Sequence, residues 1–251
     1  MGKVVILGSA YAIPDEKHAN THLMVIEGCK HILIDTASNP IQHIPKAGIN
    51  VELISDIILT HFHPDHTSGI PLLLMDLWLM GRKNVLHIYG LKYTIQKIIG
   101  LMDLYEWQRW PGFYPVEFHE LESKEGYLVI ESPGLRIVSS PVCHLLPTIG
   151  LRIEFTEKNK VVAYSCDTEP CAQVERLALN ADVLIHEASG ASIGHSSPAQ
   201  AAQVAKTANA KSLILIHYPS QNVPYIRILD EAKQVYMGPV AMAADFMELT
   251  Y

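Results

Sequence analysis

The chain has 251 residues, of which 49% are hydrophobic and 18% are charged. This composition suffices for one well-buried core, so a single α/β domain over residues 1–251 is the simplest expectation. The formal net charge of −7 disfavours a nucleic-acid partner, because binding to phosphates depends on basic surface. The first residues read as a strand and no apolar stretch is long enough to span a membrane, so we expect a cytoplasmic protein without a membrane partner.

Apolar runs separated by turn residues predict alternating strands and helices. Strands are predicted at residues 3–7, 23–27, 31–35, 56–59 and 85–89, and the second and third form a hairpin. Helices are predicted at 66–80 and 91–104. Further strands are predicted at 135–142, 149–155, 161–165, 183–185 and 213–216. Ser197 as a cap and Pro198 in the first turn predict a helix over 198–208. The alternation indicates an α/β fold with sheets covered by helices.

The segment 60–69 is the densest group of potential metal ligands. It places His61, His63, Asp65 and His66 within six positions, directly after an apolar strand. Three imidazoles and a carboxylate are costly to bury unless something pairs with them. A divalent metal is the usual partner, and these ligands suit zinc first, then iron or manganese. The segment therefore predicts a metal site at the end of a strand.

Further ligand candidates lie at the ends of other predicted strands. A pair of metals about 3.5–4 Å apart needs more ligands than one loop supplies, including a bridging one. His144, Asp167 and His217 each follow a predicted strand, where α/β folds place their chemistry. Taken singly, His144 and His217 fit a capping or core role equally well. Together with the first cluster, they extend the predicted metal site.

The order of these residues resembles that of the metallo-β-lactamase-fold hydrolases over essentially the whole chain. The resemblance implies an αββα four-layer sandwich with a dinuclear site between its two sheets. Zn²⁺ is the first expectation for both ions, with Mn²⁺ or Fe²⁺ as alternatives. The resemblance also implies the distribution of ligands: His61, His63 and His144 on one metal, Asp65, His66 and His217 on the second, and Asp167 bridging them together with a water or hydroxide.

A finer resemblance connects the second half of the chain to the ribonuclease Z branch and its phosphodiesterase relatives. It rests on the segments 186–189, 194–202 and 215–218 and on the opening segments 7–10 and 14–17. In that branch the histidine matching His195 contacts the scissile phosphate and helps the leaving group. The glutamate matching Glu187 supports that histidine. The resemblance thus implies a catalytic role for both residues.

Two departures from the branch bear on the substrate. Enzymes that process tRNA 3′ ends carry a long arm between the positions matching His144 and Asp167. Here those residues are only 23 positions apart (167 − 144), which leaves no room for an arm. The opening loop also reads Lys-His-Ala-Asn at 17–20 and lacks the branch's usual arginine. With the acidic net charge, these departures favour a small substrate over tRNA.

The leading hypothesis is a metal-dependent phosphodiesterase acting on a cyclic nucleotide or a similar ester. Asp65 could also orient or deprotonate the nucleophile, His195 could protonate the leaving oxygen, and Glu187 would fix the tautomer of His195. The alternatives are a tRNA 3′-processing endonuclease and a lactone or thioester hydrolase on the same metals. A non-catalytic metal scaffold is disfavoured, because Glu187 and His195 add nothing to metal binding. Relatives are often homodimers, which nothing in the sequence contradicts.

Several other residues have a structural interpretation. Asp35 closes a strand and could equally hydrogen-bond the metal loop. His186 is interpreted as a buried structural histidine, and Cys143 and Cys166 as core residues that point away from the metals. The aromatic segment 105–115 could form a lid, although packing of a helix against the sheet is favoured. The remaining histidines have no ligand-like partners in sequence and are interpreted as structural or solvated: His18, His22, His31, His43, His87 and His119.

Overall fold

The computed structural model describes residues 2–221 and 224–251. The strands in these residues are β1 (Lys3–Gly8), β2 (His22–Glu27), β3 (Lys30–Ile34), β4 (Asp56–Leu59), β5 (Leu86–Leu91), β6 (Val116–Leu121), β7 (Tyr127–Ser132), β8 (Leu135–Val142), β9 (Thr148–Phe155), β10 (Lys160–Tyr164), β11 (Val183–Glu187), β12 (Leu213–Ile216), β13 (Val240–Met242) and β14 (Met247–Thr250). The α-helices are α1 (Pro40–His43), α2 (Pro64–Thr67), α3 (Ile70–Leu79), α4 (Lys92–Leu104), α5 (Ala172–Leu177), α6 (Pro198–Thr207) and α7 (Tyr225–Lys233). None of these helices is long and apolar enough to cross a membrane.

The strands form two seven-stranded sheets. The first has the order β14-β1-β2-β3-β4-β5-β6 and the second the order β13-β12-β11-β10-β9-β8-β7. Alternate residues of β2 and β3 divide between two apolar clusters: one lies against α3 and α4, and the other joins both sheets with α5, α6 and α7. The layers are therefore helix, sheet, sheet, helix, which confirms the predicted αββα sandwich.

The strand directions bring several chain segments to one edge of the sandwich. β3 and β4 run parallel in the first sheet, and β10, β11 and β12 run parallel in the second. β8 is antiparallel to β9, which is antiparallel to β10, so β8 has the direction of β10. Strands that share a direction end at the same edge, where ligands of open sheets usually bind. The segments that follow these strands carry the predicted site residues.

The four edge strands were not predicted from the sequence. β14 and β6 border the first sheet, and β13 and β7 border the second. Each is partly exposed, and β6 and β14 alternate apolar with charged or polar residues. Edge strands are kept short and polar because their unpaired backbone groups otherwise promote aggregation. They consequently lack the continuous apolar runs by which the buried strands were recognised.

The helix predicted over residues 66–80 is two helices, α2 and α3, separated at Ser68 and Gly69. The amide of Gly69 donates a hydrogen bond to the carbonyl of Thr36, and a Cβ at Gly69 would lie 3.0 Å from that oxygen. Pro71 lies in the first turn of α3, where its missing N–H leaves no helical hydrogen bond unmade. This break lets α2 turn independently and places Asp65 and His66 at the edge of the sheet.

Candidate active site

Three imidazoles from two loops meet above the end of β4. His61 follows this strand by two residues and is fully buried, and His63 precedes the first turn of α2. His144 lies in the loop after β8. The distance from His61 Nε2 to His63 Nδ1 is 3.0 Å, and from His63 Nδ1 to His144 Nε2 it is 3.1 Å. The structure therefore brings together the three residues predicted to hold the first metal.

A second group of ligand atoms lies beside the first. It consists of Asp65 and His66 from α2 and His217 from the residue after β12. Asp65 Oδ2 lies 3.4 Å from His217 Nε2 and 3.6 Å from His66 Nε2. These residues are the three that were predicted to hold the second metal.

Asp167 lies between the two groups, where the bridging ligand was predicted. Its Oδ2 atom is 3.9 Å from Nε2 of His61 in the first group. The same oxygen is 3.5 Å from Nε2 of His66 and 3.4 Å from Nε2 of His217 in the second group. One carboxylate oxygen is thus close to both groups of ligands.

The spacing and the unpaired atoms of this cluster fit divalent metal ions. Ligand atoms bound to a tetrahedral Zn²⁺ lie roughly 3.3–3.6 Å from one another, close to the distances found here. Nε2 of His66 and Oδ1 of Asp167 are buried and have no hydrogen-bond partner among the described residues. Buried polar atoms rarely lack a hydrogen-bond partner. A cation would interact with the lone pairs of both atoms. The fold also implies a divalent metal cofactor.

A buried carboxylate below the site, Asp35, determines the orientation of its histidines. His66 Nδ1 donates a hydrogen bond to Asp35 Oδ2 over 2.8 Å. The backbone amide and the hydroxyl of Thr60 also donate to Asp35, and the hydroxyl then accepts from His61 Nδ1 at 3.1 Å. Both imidazoles therefore direct Nε2 into the site, as metal ligands require. The suggestion that Asp35 supports the metal loop is confirmed.

Burial and neighbouring charges shift the pKa values of the ligands. Burial and the nearby His66 hold the pKa of His61 well below its usual range. Burial would also lower the pKa of His66, but the carboxylates of Asp167 and Asp35 outweigh it and raise this pKa. Burial would raise the pKa of Asp167, but the imidazoles of His217 and His66 outweigh it and lower this pKa. The site thus favours an ionised carboxylate beside a positive charge, a position that a metal ion would fill.

The loop after β11 holds His144 from the other side. His144 Nδ1 donates to the carbonyl of Gly194 over 2.7 Å, which leaves His144 Nε2 for the site. Gly194 has a φ of +82°, and a Cβ built on it would lie 2.9 Å from His144 Nδ1. The amide of Gly194 donates to Glu169 Oε1 over 2.7 Å. Only glycine allows this approach of the backbone to the imidazole.

Glu187 and His195, which were predicted as a pair, are in contact. Glu187 is fully buried at the end of β11, and its Oε1 accepts from His195 Nδ1 over 3.1 Å. The same carboxylate accepts the amides of Ser196 and Ser189 at 2.8 Å and the Ser189 hydroxyl at 2.8 Å. The hydrogen bond to Glu187 raises the pKa of His195 despite partial burial. The His195 ring centroid is 4.9 Å from that of His144.

A cavity of about 430 Å³ opens above these groups. No lysine or arginine is among its described lining residues. Of the lining, the sequence did not identify Tyr11 and Ala12 after β1 or Ser189 and Ser192 after β11 as site residues, because nothing in their local pattern distinguishes them from other loop residues. The lining comprises Tyr11, Ala12, His63, Pro64, Asp65, Asp167, Ser189, Ser192, His195 and His217.

One of the structural interpretations is wrong. Cys143 is exposed rather than part of the core. Cys166 is buried in the core, as predicted, and its Sγ lies 3.6 Å from Nδ1 of His61, the nitrogen that faces away from the site. The chain has left β10 at Cys166, which takes a left-handed φ of 54°. His186 is fully buried, as predicted.

The aromatic segment 105–115 packs against its neighbours rather than over the cavity. The rings of Trp110 and Trp78 of α3 stack with centroids 5.2 Å apart, and Trp78 Nε1 donates to the carbonyl of Pro111. Trp107 contacts Phe118 of β6 edge to face. No residue of the segment is among the lining of the active-site cavity. The packing alternative is therefore confirmed over the lid.

Comparisons with known proteins agree with this fold and site. Residues 30–218 match the model of the beta-lactamase superfamily domain. The chain is 28% identical to a ribonuclease Z of Methanothermobacter thermautotrophicus, with 98% of this chain and 95% of the relative covered. A ribonuclease Z of Bacillus licheniformis is 27% identical, with 98% of each chain covered. The metallo-beta-lactamase fold protein YhfI from Bacillus subtilis superposes with a TM-score of 0.83 at 23% identity, covering 99% of this chain and 98% of that one.

Substitution of Gly194 by alanine should lower metal content. The new Cβ would contact His144 Nδ1 and displace a predicted ligand, while the positive φ would cost about 1–3 kcal/mol of stability. Gly81→Ala is the matched control, because Gly81 has a φ of +87° and open space around its Cβ position. Metal analysis after equilibration at limiting zinc would measure the difference. Equal metal contents in the two variants would refute the proposed constraint on His144.

Substitution of Asp35 by asparagine should weaken metal binding about 10–100-fold, because the orientation of His66 and His61 depends on this carboxylate. Competition with a chelator would measure the affinity. Asp182→Asn serves as the control, since Asp182 pairs with Lys160 and Lys211 and is not part of the site. Wild-type affinity in Asp35→Asn would contradict the role of Asp35.

Proposed function

We propose that this chain, which belongs to the beta-lactamase superfamily and is a metal-dependent hydrolase, hydrolyses phosphodiester bonds. The Glu187–His195 pair carries this proposal. His195 lines the same cavity as several predicted metal ligands, and the buried Glu187 directs its carboxylate to His195 and loop amides rather than to the ligand cluster. A positioned imidazole opposite a pair of metals suits a reaction that needs a proton at the leaving oxygen.

The metals would be held by the ligands predicted from the sequence, with Zn²⁺ as the first choice. When bound, two divalent ions lower the pKa of a water and stabilise charge on an attacked phosphate. The Asp65 carboxylate faces the cavity, where it can orient a water or accept its proton. Asp167, in the cavity lining, has one carboxylate oxygen 3.4–3.9 Å from Nε2 of His61, His66 and His217, and it would be the ligand that the two groups share.

His195 would serve the leaving group. Its Nδ1 donates to Glu187, so Nε2 is the nitrogen available to a substrate. The raised pKa, caused first by the hydrogen bond to Glu187, favours an imidazolium that can donate a proton or balance phosphate charge. Glu187 accepts hydrogen bonds from two loop amides, which fix the position of its carboxylate and hence the tilt of the His195 ring.

The structure between His144 and Asp167 supports a small substrate. β9 and β10 pair directly, with Phe155 opposite Lys160, and only a four-residue turn joins them. The alignment with the Methanothermobacter relative extends over 300 positions, whereas this chain has 251 residues, so at least 49 positions (300 − 251) have no counterpart here. A cavity of about 430 Å³ without a lysine or arginine among its described lining would suit one phosphodiester group with a small substituent.

An RNA 3′-end endonuclease is the second candidate, and the comparisons favour it. The two relatives described above, which match nearly the whole chain, carry the name ribonuclease Z. The candidates share the same metals and the same Glu187–His195 pair, and they differ in whether an extended RNA can be held. A lactone or thioester hydrolase on this site has no observation in its favour beyond the metals.

Hydrolysis of bis(p-nitrophenyl) phosphate, a cyclic nucleotide and a precursor tRNA should be measured in parallel. We expect cleavage of the small diesters, loss of activity after chelation and recovery with zinc or manganese. Efficient, accurate cleavage of the precursor tRNA with poor turnover of small diesters would establish the RNA candidate instead. Activity that persists after complete removal of metal would refute both.

Substitution of His195 by alanine should reduce kcat about 10²–10⁴-fold, the range typical of a general acid. Metal content should stay at the wild-type value, because His195 is not among the predicted ligands. Ser192→Ala is the control, since Ser192 lines the same cavity and its side chain has no assigned role. A diester with a p-nitrophenolate leaving group should be less affected than one with an alkoxide, because the former needs no proton. Wild-type turnover of both diesters would refute the role.

A further inference from the structure

A second group of potential metal ligands lies on β5 and β6. It consists of His87, Glu117 and His119, which the sequence had left as unrelated residues. β5 and β6 are parallel, with His87 opposite Glu117 and Tyr89 opposite His119. Residues two apart on a strand share a face, so all four side chains lie on the same side of the sheet. The strand pairing thus brings the imidazole of His87 close to the side chains of Glu117 and His119, which lie about thirty residues later in the chain.

The carboxylate of Asp56, from the neighbouring strand β4, lies on the same face. Asp56 of β4 pairs in register with His87, so Asp56, His87 and Glu117 form a row across three parallel strands. Asp56 is buried and accepts a hydrogen bond from Lys30 Nζ over 2.8 Å. Tyr89 and His119 form a second row on the same face, and their rings stack with centroids 4.5 Å apart. The rotation of His119 is therefore restricted.

The ligand atoms converge at distances suited to one ion. His87 Nδ1 lies 3.1 Å from His119 Nε2 and 3.3 Å from Glu117 Oε2, and His119 Nε2 lies 4.0 Å from the same oxygen. Ligands of a tetrahedral zinc are roughly 3.3–3.6 Å apart. The longest distance involves Glu117, whose side chain is 58% exposed and free to adjust. The separation of the two nitrogens equals that of His63 and His144 in the candidate active site.

Hydrogen bonding alone does not account well for this arrangement. One N–H on His87 Nδ1 can point at either His119 Nε2 or Glu117 Oε2, which leaves the other acceptor without a donor from His87. A cation at the centre would accept all three lone pairs at once.

We propose that His87, Glu117 and His119 bind a divalent transition metal of the zinc type, separately from the catalytic site. Two imidazoles and one carboxylate supply three ligands, and the partial exposure of all three lets water complete the coordination. The ion joins edge strand β6 to β5 and so stabilises one border of the first sheet. The group lies level with the start of β4, whereas His61 follows its end, roughly 15 Å away along the strand.

Metal analysis of the full chain after equilibration at buffered free zinc tests this proposal. Wild type should bind one more zinc per chain than His119→Gln or His87→Gln. Glu120→Gln is the matched control: Glu120 is next to His119 on β6, but alternation directs it to the opposite face. The variants should hydrolyse bis(p-nitrophenyl) phosphate like wild type, which would show that the lost ion is not catalytic. If the diester is not a substrate, the difference in metal content still decides the question.

A second measurement does not depend on the stability of the histidine variants. Glu117→Gln changes the most exposed ligand and should weaken binding of the extra zinc at least tenfold, with little effect on folding without metal. Zinc should raise the Tm of wild type more than that of Glu117→Gln, because an ion that binds only the folded state stabilises it. Equal zinc content in wild type, His87→Gln and His119→Gln, or equal zinc-dependent Tm shifts in wild type and Glu117→Gln, would overturn the proposal.

Discussion

The candidate active site depends on the buried carboxylate of Asp35. It accepts hydrogen bonds from the Thr60 amide and hydroxyl and from His66 Nδ1, so it anchors both the start and the end of the segment that supplies the first ligands. Through the Thr60 hydroxyl it also orients His61. A buried carboxylate is costly unless donors surround it, and here the donors are the groups whose positions the metals require. Structural stability and ligand orientation therefore depend on the same contacts.

Bringing the ligands together requires strained backbone at the ends of three strands. Asp35, Cys166 and His217 all have a left-handed φ, between 51° and 60°, although none is glycine. Each follows a strand whose end lies at the edge where the sheets meet, and the sharp turn directs adjacent side chains into the gap. Such conformations persist where surrounding contacts determine them, and they concentrate at functional sites. The two sheets are thus linked by polar contacts at their edge as well as by the apolar core between them.

The two sides of the cavity have different proposed roles. One side contains the histidines and aspartates predicted to hold two divalent ions, and the other contains His195, which donates a hydrogen bond to Glu187. Only a four-residue turn joins β9 and β10, so no arm is inserted between them. This geometry favours a small phosphodiester, whereas the relatives' names favour RNA, and metal chemistry is common to both. The cluster on β5 and β6 shows that the same ligand types also converge at a distant part of the sheet.

The sequence by itself determined the buried strands and the order of the candidate ligands, because continuous apolar runs and ligand spacing are local signals. The pairing of Glu187 with His195 was implied by the resemblance to the ribonuclease Z branch. The sequence also showed, from the 23-residue separation of His144 and Asp167, that no arm could be present. The edge strands, the break between α2 and α3, the support from Thr60 and the contact of Cys166 with His61 were decided by tertiary structure. Likewise, only the parallel register of β5 and β6 brings His87 to His119. Pairing between strands distant in the chain leaves no local pattern, because the energy that selects it comes from contacts formed only on folding.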